Sequence, residues 1–521
     1  MPLARTHAVA LLGVTGHVVE VEADLAQGLP ALSIIGLPDA ALAESRDRVR
    51  SAVVNSGLTW PQRRITIGLS PASLPKAGSA FDLAVAAAVL AAAGVVSAAT
   101  VAPLTFVGEL ALDGRVRPVR GVLAAVLAAV RQGRAHVVVP LDSLAEAVLV
   151  PGVVAWGVES LGGLVARLTG DPPAGTEPHP VVEARHGDPL VAAPPHRPDR
   201  PELADVVGQP DARRAAEIAA AGGHHLFLHG PPGTGKTMLA ERLPGLLPDL
   251  DTACALEVTA VHSVAGELPP GCPLLVRPPF RSPHHTASVA ALVGGGSGVA
   301  RPGAVSLAHR GVLFLDEAPE FSAGVLDALR QPLESGQVVI ARSGGTATYP
   351  ARFLLVMAAN PCPCARAGGG PLDCTCSALV RRRYLGRLSG PLLDRIDLQC
   401  EVGPLSPADL MADRALLEPT ATVAARVSAA RAAARERYAD VPWRTNAEVP
   451  GRELRHRWPP TRAGRRVAEE ALARGHLTVR GYDRVLRVAW TIADLTTGRA
   501  PDAGEVTEAL YLRAGRSVTA A

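Results

Sequence analysis

The sequence predicts an α/β chain in three parts: an N-terminal α/β domain, a nucleotide-binding domain with a phosphate-binding loop, and a helical C-terminal domain. Three observations carry the reading. Gly230-Pro-Pro-Gly-Thr-Gly-Lys236-Thr237 has every fixed residue of a phosphate-binding loop, and it lies between a short apolar strand, His225–His229, and a helix-compatible stretch, Met238–Arg242. Gly311-Val-Leu-Phe-Leu-Asp316-Glu317 reads as a buried parallel strand ending in two carboxylates. Nine prolines crowd into Asp171–Pro201 with few large apolar residues, which marks an extended linker between domains.

Ahead of that linker, strands are expected at Val18–Ala23, Arg64–Leu69, Thr105–Leu110 and His136–Val139, with helices at Ala40–Val54, Phe81–Ala92 and Val122–Gln132. The boundaries that follow are 1–170 for the N-terminal domain, 171–200 for the linker, 201–403 for the nucleotide domain and 404–521 for the C-terminal domain. That last part is rich in Ala and Arg, has helical periodicity and gives no strong strand signal.

The loop and the acidic strand end define one chemistry. Gly230, Pro231, Pro232, Gly233, Thr234, Gly235 and Met238 form the loop and its exit, where backbone N–H groups curl around phosphate oxygens. Lys236 reaches the β- and γ-phosphates, and Thr237 with Asp316 holds Mg²⁺. Glu317 polarises the attacking water. Only two of the chain's 52 basic residues are lysine, so Lys236 is not a product of local abundance. ATP with Mg²⁺ is the expected ligand.

Composition agrees with a large cytoplasmic protein. Hydrophobic residues make up 48% of the 521 but aromatics only 3%, so Ala, Val and Leu must fill the cores. A net charge of +3 is too small to argue for nucleic acid. No uninterrupted apolar run of 18 residues and no signal-peptide pattern occurs, so neither membrane nor export is expected. Cys362, Cys364, Cys374 and Cys376 form a C-x-C…C-x-C cluster that suits tetrahedral Zn²⁺ or stands as reduced thiols in a loop closed by Gly368–Gly370. Cys254, Cys272 and Cys400 read as small buried hydrophobes.

Nearly the whole chain resembles the ComM/YifB family, a branch of the magnesium-chelatase-like AAA+ ATPases. The resemblance rests on Gly36–Asp39 with Glu44–Val49, Leu74–Gly78 with Phe81-Asp82, Phe280–His285, Asn360–Cys364 and Ser389–Asp397. It implies a Lon-protease-like (ribosomal S5 domain 2-like) α+β domain, a P-loop AAA+ αβα core and a helical C-terminal lid. It also implies a homo-oligomer, a hexameric ring acting on single-stranded or branched DNA as a helicase that promotes branch migration.

Further roles come only from that resemblance. Val206-Val207-Gly208-Gln209 looks like the segment that packs on adenine. Asn360 resembles the sensor-1 residue, Arg395 the arginine finger acting on a neighbouring subunit, and Arg480 the sensor-2 arginine, with Arg484 its competitor one turn on. His284-His285 are read as part of a pore-facing loop bounded by Gly294–Gly296. Gln337–Tyr349 reads as a hairpin, with Arg342 beside its Ser-Gly-Gly turn, of the kind that touches DNA in related motors or serves structure alone. In the Lon-like domain the nucleophile position falls on Ala80 and the lysine position near Leu123, with Ser79 one residue early, so the peptidase dyad is absent. A DNA motor, a chelatase-type motor and a protein-remodelling ATPase therefore remain the competing functions.

Overall fold

The computed structural model describes residues 3–171, 173, 179–188, 200–269, 273–296, 300–342, 345–364, 374, 376–405 and 417–514. Most of the predicted linker, Ser343-Gly344, Gly368–Gly370 and Cys272 lie outside these residues. No helix among the described residues is long and apolar enough to cross a membrane.

The N-terminal domain is built on a mixed eight-stranded sheet, order β10-β9-β8-β5-β1-β2-β4-β3. Its strands are β1 Leu3–Leu12, β2 Thr15–Ala26, β3 Ala31–Ile35, β4 Arg64–Ser70, β5 Thr105–Phe106, β8 His136–Pro140, β9 Val154–Val158 and β10 Val182–Arg185. A separate small pair, β6 Glu109–Leu110 and β7 Val116–Arg117, lies beside it. The expected strand Thr105–Leu110 is thus divided. The break comes where the Val107 N–H bonds to Val138 and the Gly108 N–H turns instead to the Ala80 carbonyl at 3.1 Å. The Ala-rich helix Asp82–Ala92 is buried on nearly every side, which explains how a chain poor in aromatics fills this core. Lys76 is also fully buried, its ammonium donating to the carbonyls of Leu69 and Pro71, so it serves a turn and not catalysis.

The linker reading needs a correction. Val182–Arg185 pairs antiparallel with β9 and closes the edge of the sheet. Proline density hid this four-residue strand, because Val181-Val-Glu-Ala-Arg185 sits between prolines and carries no long apolar pattern.

The nucleotide core is a five-stranded all-parallel sheet, order β12-β15-β18-β11-β19. Its strands are β11 Leu226–His229, β12 Phe280–Arg281, β15 Val312–Leu315, β18 Leu354–Ala359 and β19 Leu398–Glu401. Two short pairs stand apart: β13 Gly294–Gly295 with β14 Arg301–Pro302, and the hairpin β16 Gln337–Arg342 with β17 Gly345–Pro350. Every residue of β15 and β18 is buried, as strands covered on both faces require. The β1–β2 turn meets the hairpin at Gly13 (φ 68°), where a Cβ would come within 2.6 Å of the Thr348 carbonyl oxygen.

The C-terminal part is helical, with long helices at Thr420–Arg437, Arg462–Ala473, Val479–Thr496 and Ala503–Ala514. A buried polar knot fastens it to the sheet. His224, just before β11, bonds Thr491 of the lid at 2.7 Å and Asp397 at 3.4 Å. Arg484 reaches the same Asp397 carboxylate and the Arg395 carbonyl. Burial alone pushes the Asp397 carboxyl up; the His224 bond and the Arg484 charge outweigh it and hold the group well below the usual carboxylate range.

Removing one member of a buried pair strands the other. Arg484→Ala should therefore cost about 3 kcal/mol. Arg480→Ala, an exposed position, should stay within about 0.5 kcal/mol. Urea unfolding followed by the fluorescence of Trp443, Trp458 and Trp490 reads both; equal costs would contradict the assignment.

Candidate nucleotide site

The site lies at the carboxyl ends of β11, β15 and β18, where parallel strands in this class of sheet leave a crevice. β11 ends at His229 and the chain turns at once into the loop. At Gly230 a Cβ would sit 2.0 Å from the Val402 carbonyl oxygen, so only glycine lets the loop leave between β11 and β19. Gly235 takes a left-handed conformation (φ 89°) and caps the helix Lys236–Leu246, whose free N–H groups face the phosphate position.

Lys236 is buried and its ammonium is held by three oxygens: Gly230 O at 2.7 Å, Pro231 O at 2.7 Å and Asn360 Oδ1 at 3.2 Å. Burial lowers its pKa, opposed by the nearby charges of Asp316 and Glu317. Asn360 follows β18 directly, so the structure brings the loop lysine and the residue read as sensor 1 into one contact. The Thr237 hydroxyl donates to Asp316 Oδ2 at 2.8 Å, which sets two hard oxygen ligands side by side as a Mg²⁺ site needs. The Asp316 side chain in turn accepts the Glu317 N–H at 2.9 Å.

Glu317 adopts a left-handed backbone (φ 50°), uncommon for a residue with a side chain. Its carboxylate faces His285, with Nδ1 3.6 Å from Oε2. His285 thus lies beside the nucleotide site, with His284 tilted against it at 4.1 Å between ring centroids. The reason is topological. β12 lies parallel beside β15, so the residues following Phe280-Arg281 emerge at the same sheet edge as Glu317. Composition gave no sign of this partnership, but the short strand preceding the two histidines was the usable signal.

Val207 is partly exposed behind an N-terminally packed Val206, and Gln209 bonds the Gly403 carbonyl. Met238 is 42% exposed at the loop exit. Arg395 is not free: it pairs with Glu334 and donates to the Pro391 carbonyl at 2.6 Å, with its Nε buried and unpartnered among the described residues. Arg480 is 81% exposed with only a 3.7 Å approach to Asp394, whereas Arg484 is committed to Asp397. Of the two competitors, Arg480 is the one with a guanidinium available to a ligand. The hairpin forms as expected, and Arg342 is exposed at its end.

The four cysteines converge, with their sulfur atoms all within 4.8 Å of one another. Sγ separations are 3.2 Å for Cys362–Cys364, 3.4 Å for Cys362–Cys374 and 3.6 Å for Cys364–Cys374. A ZnS₄ tetrahedron has edges of about 3.8 Å, so the donor set fits one Zn²⁺. Cys254 and Cys400 are buried thiols, as expected.

Comparison with known proteins matches this architecture part by part. Families described as subunit ChlI of Mg-chelatase, as magnesium chelatase subunit ChlI, and as its C-terminal part match residues 21–143, 202–410 and 417–513. The Mycobacterium tuberculosis protein Rv2897c is 54% identical over 98% of this chain and 99% of its own length. Competence protein ComM of Haemophilus influenzae is 40% identical over 99% of this chain and 98% of its own length, and YifB of Escherichia coli 42% over 99% and 97%. The chain belongs to the YifB/ComM family of Mg-chelatase ChlI-like proteins. It is a chelatase-like AAA ATPase. A magnesium-chelatase 38 kDa subunit from Rhodobacter capsulatus is 29% identical, over 39% of this chain and 56% of its own length.

For a member of this family the site separates binding from turnover. Lys236→Ala should abolish nucleotide binding. Glu317→Gln should retain ATP while hydrolysis stops, since the loop and Asp316 contacts survive and only water activation is lost. Fluorescent-nucleotide binding and phosphate release measure the two; rapid turnover by Glu317→Gln would remove Glu317 from the role.

Proposed function

We propose that the chain is an ATP-driven motor that forms a hexameric ring and acts on DNA as a helicase or translocase, promoting branch migration in recombination or transformation. The observation that carries the reading is an assembled ATP site in a chain similar along 99% of its length to a protein named for competence. Lys236 compensates phosphate charge, Asn360 and Glu317 orient water, and Mg²⁺ held by Thr237 and Asp316 neutralises the phosphates when bound. Arg395 acts on the neighbouring subunit's nucleotide once released from Glu334. Arg342 and the exposed Arg381, Arg382 and Arg383 supply phosphate contacts.

The N-terminal domain keeps a Lon-like arrangement without its chemistry. Ala80 has no nucleophile, Leu123 no base, and the Ser79 hydroxyl donates to Glu109 and not to an amine. A chelatase-type motor is the second reading, favoured by the three ChlI matches, and would require a further subunit.

ATPase rates measured with forked or single-stranded DNA, with casein, and with porphyrin plus Mg²⁺ separate the readings. Stimulation several-fold by DNA alone is expected. Stimulation by porphyrin and indifference to DNA would transfer the assignment to the chelatase class.

We further propose that Cys362, Cys364, Cys374 and Cys376 hold a structural Zn²⁺ that stiffens the loop after Asn360. Metal analysis of protein purified without chelator should find one Zn²⁺ per chain, lost in Cys364→Ser with Cys376→Ser. A metal-free wild type would leave them ordinary thiols.

A further inference from the structure

Across the parallel sheet from the nucleotide loop, at the amino ends of β11, β15 and β18, a cleft of about 700 Å³ opens between core and lid. His225, Gly311 and Phe353 line it from the sheet, and Arg431, Trp443 and Arg487 from the lid.

The acidic groups that line this cleft are already engaged. Asp251 pairs with Arg444 at 2.9 Å, Glu334 pairs with Arg395, and Asp249 faces the charge of Arg200. Glu448 accepts the Arg444 N–H at 2.7 Å and lies 3.8 Å from Arg352. Arg310 has Glu257 at 3.3 Å. Three lining guanidiniums, Arg431, Arg435 and Arg487, have no carboxylate in ion-pair contact among the described residues. Arg431 spends Nε and one Nη on a single carbonyl, Ala220 O, at 2.9 and 2.6 Å, and Arg487 gives Nε to Val449 O at 2.7 Å. Burial, with the neighbouring Arg435 charge, presses the Arg431 pKa down to about 10 against the pull of Glu448, and burial lowers that of Arg487 against the pull of Asp397 and Asp483.

Arg431 and Arg487 are partly buried and only partly balanced by the more distant charges of Glu448, Asp397 and Asp483, with the exposed Arg435 at the cleft's edge, so an anion in the cleft completes the balance. Guanidinium forks match phosphate oxygens, the half-buried Trp443 offers an aromatic surface, and the volume is that of a small-ligand site. We propose that this cleft is a second binding site, separate from the nucleotide loop, for a small phosphate-bearing ligand. Arg487 lies on the same helix as Arg484 and Arg480, so an occupant bears on the lid that closes over the ATP site.

The test uses full-length Lys236→Ala protein, which silences the loop, and calorimetric titration with inorganic pyrophosphate. One saturable site per chain is expected, weakened about tenfold or more in Arg435→Gln and in Arg487→Gln by loss of a charge-assisted contact. Arg435 makes no side-chain bond within the described residues, so its variant keeps the fold if Arg487→Gln does not. ADP in a parallel titration tells a nucleotide, which binds tighter than pyrophosphate, from a ligand recognised by phosphate alone. Absence of pyrophosphate binding, an unchanged affinity in Arg435→Gln, or binding of a short oligonucleotide only would overturn the proposal.

Discussion

The buried ammonium of Lys236 is the constraint around which the core is arranged. A cation withdrawn from water must be surrounded by oxygen, and the chain supplies two loop carbonyls and the Asn360 amide. Meeting those three partners fixes the spacing of β11 and β18, since the loop leaves one strand and Asn360 ends the other. The carboxylates of β15 then fall beside the same point because β15 pairs in register with β18. Phosphate recognition is thus written into the sheet order and does not depend on loop flexibility.

The chemistry was legible in the sequence wherever one short segment carries it whole. The loop, the acidic strand end and the four-cysteine cluster each declare themselves by spacing, and the structure assembles all three. What stayed hidden is pairwise and distant. His285 lies 32 positions before Glu317, and nothing in either segment names the other until β12 is laid beside β15. Arg480 and Arg484 look alike in a helix; only the Asp397 carboxylate, supplied from the sheet, tells them apart. The edge strand Val182–Arg185 was lost for a different reason, because local proline content outweighed a pattern only four residues long.

Core and lid meet at the amino ends of the strands, through charges whose balance differs from point to point. Immediately before β19, Asp397 is saturated by His224 and Arg484, so the joint is compensated and stiff. At the same end of the sheet, Arg431 and Arg487 reach the cleft with carbonyls as their direct partners. A helix anchored by a direct ion pair at Arg484, and at Arg487 by a cation whose carboxylates Asp397 and Asp483 lie farther off, is held firmly at one point and less so at the next. That asymmetry makes the cleft the natural place for a ligand to alter lid position.

The N-terminal domain is tied to the ATPase core at the start of the helix Val122–Arg131. The backbone N–H of Leu123 donates to Glu146 Oε1 at 2.8 Å. The hydroxyl of Ser263, in the core helix Thr252–Ala265, donates to that same oxygen, and the Gly121 N–H reaches the Ser263 carbonyl at 3.2 Å. Glu146 is buried, and burial raises its pKa against the pull of these two donors. Val122, Ala125 and Val126 pack around this seam as apolar core, so each donor to Glu146 takes the place of water that burial has removed. Three hydrogen bonds through Glu146 and Ser263 therefore make the start of this helix the joint to the ATPase core.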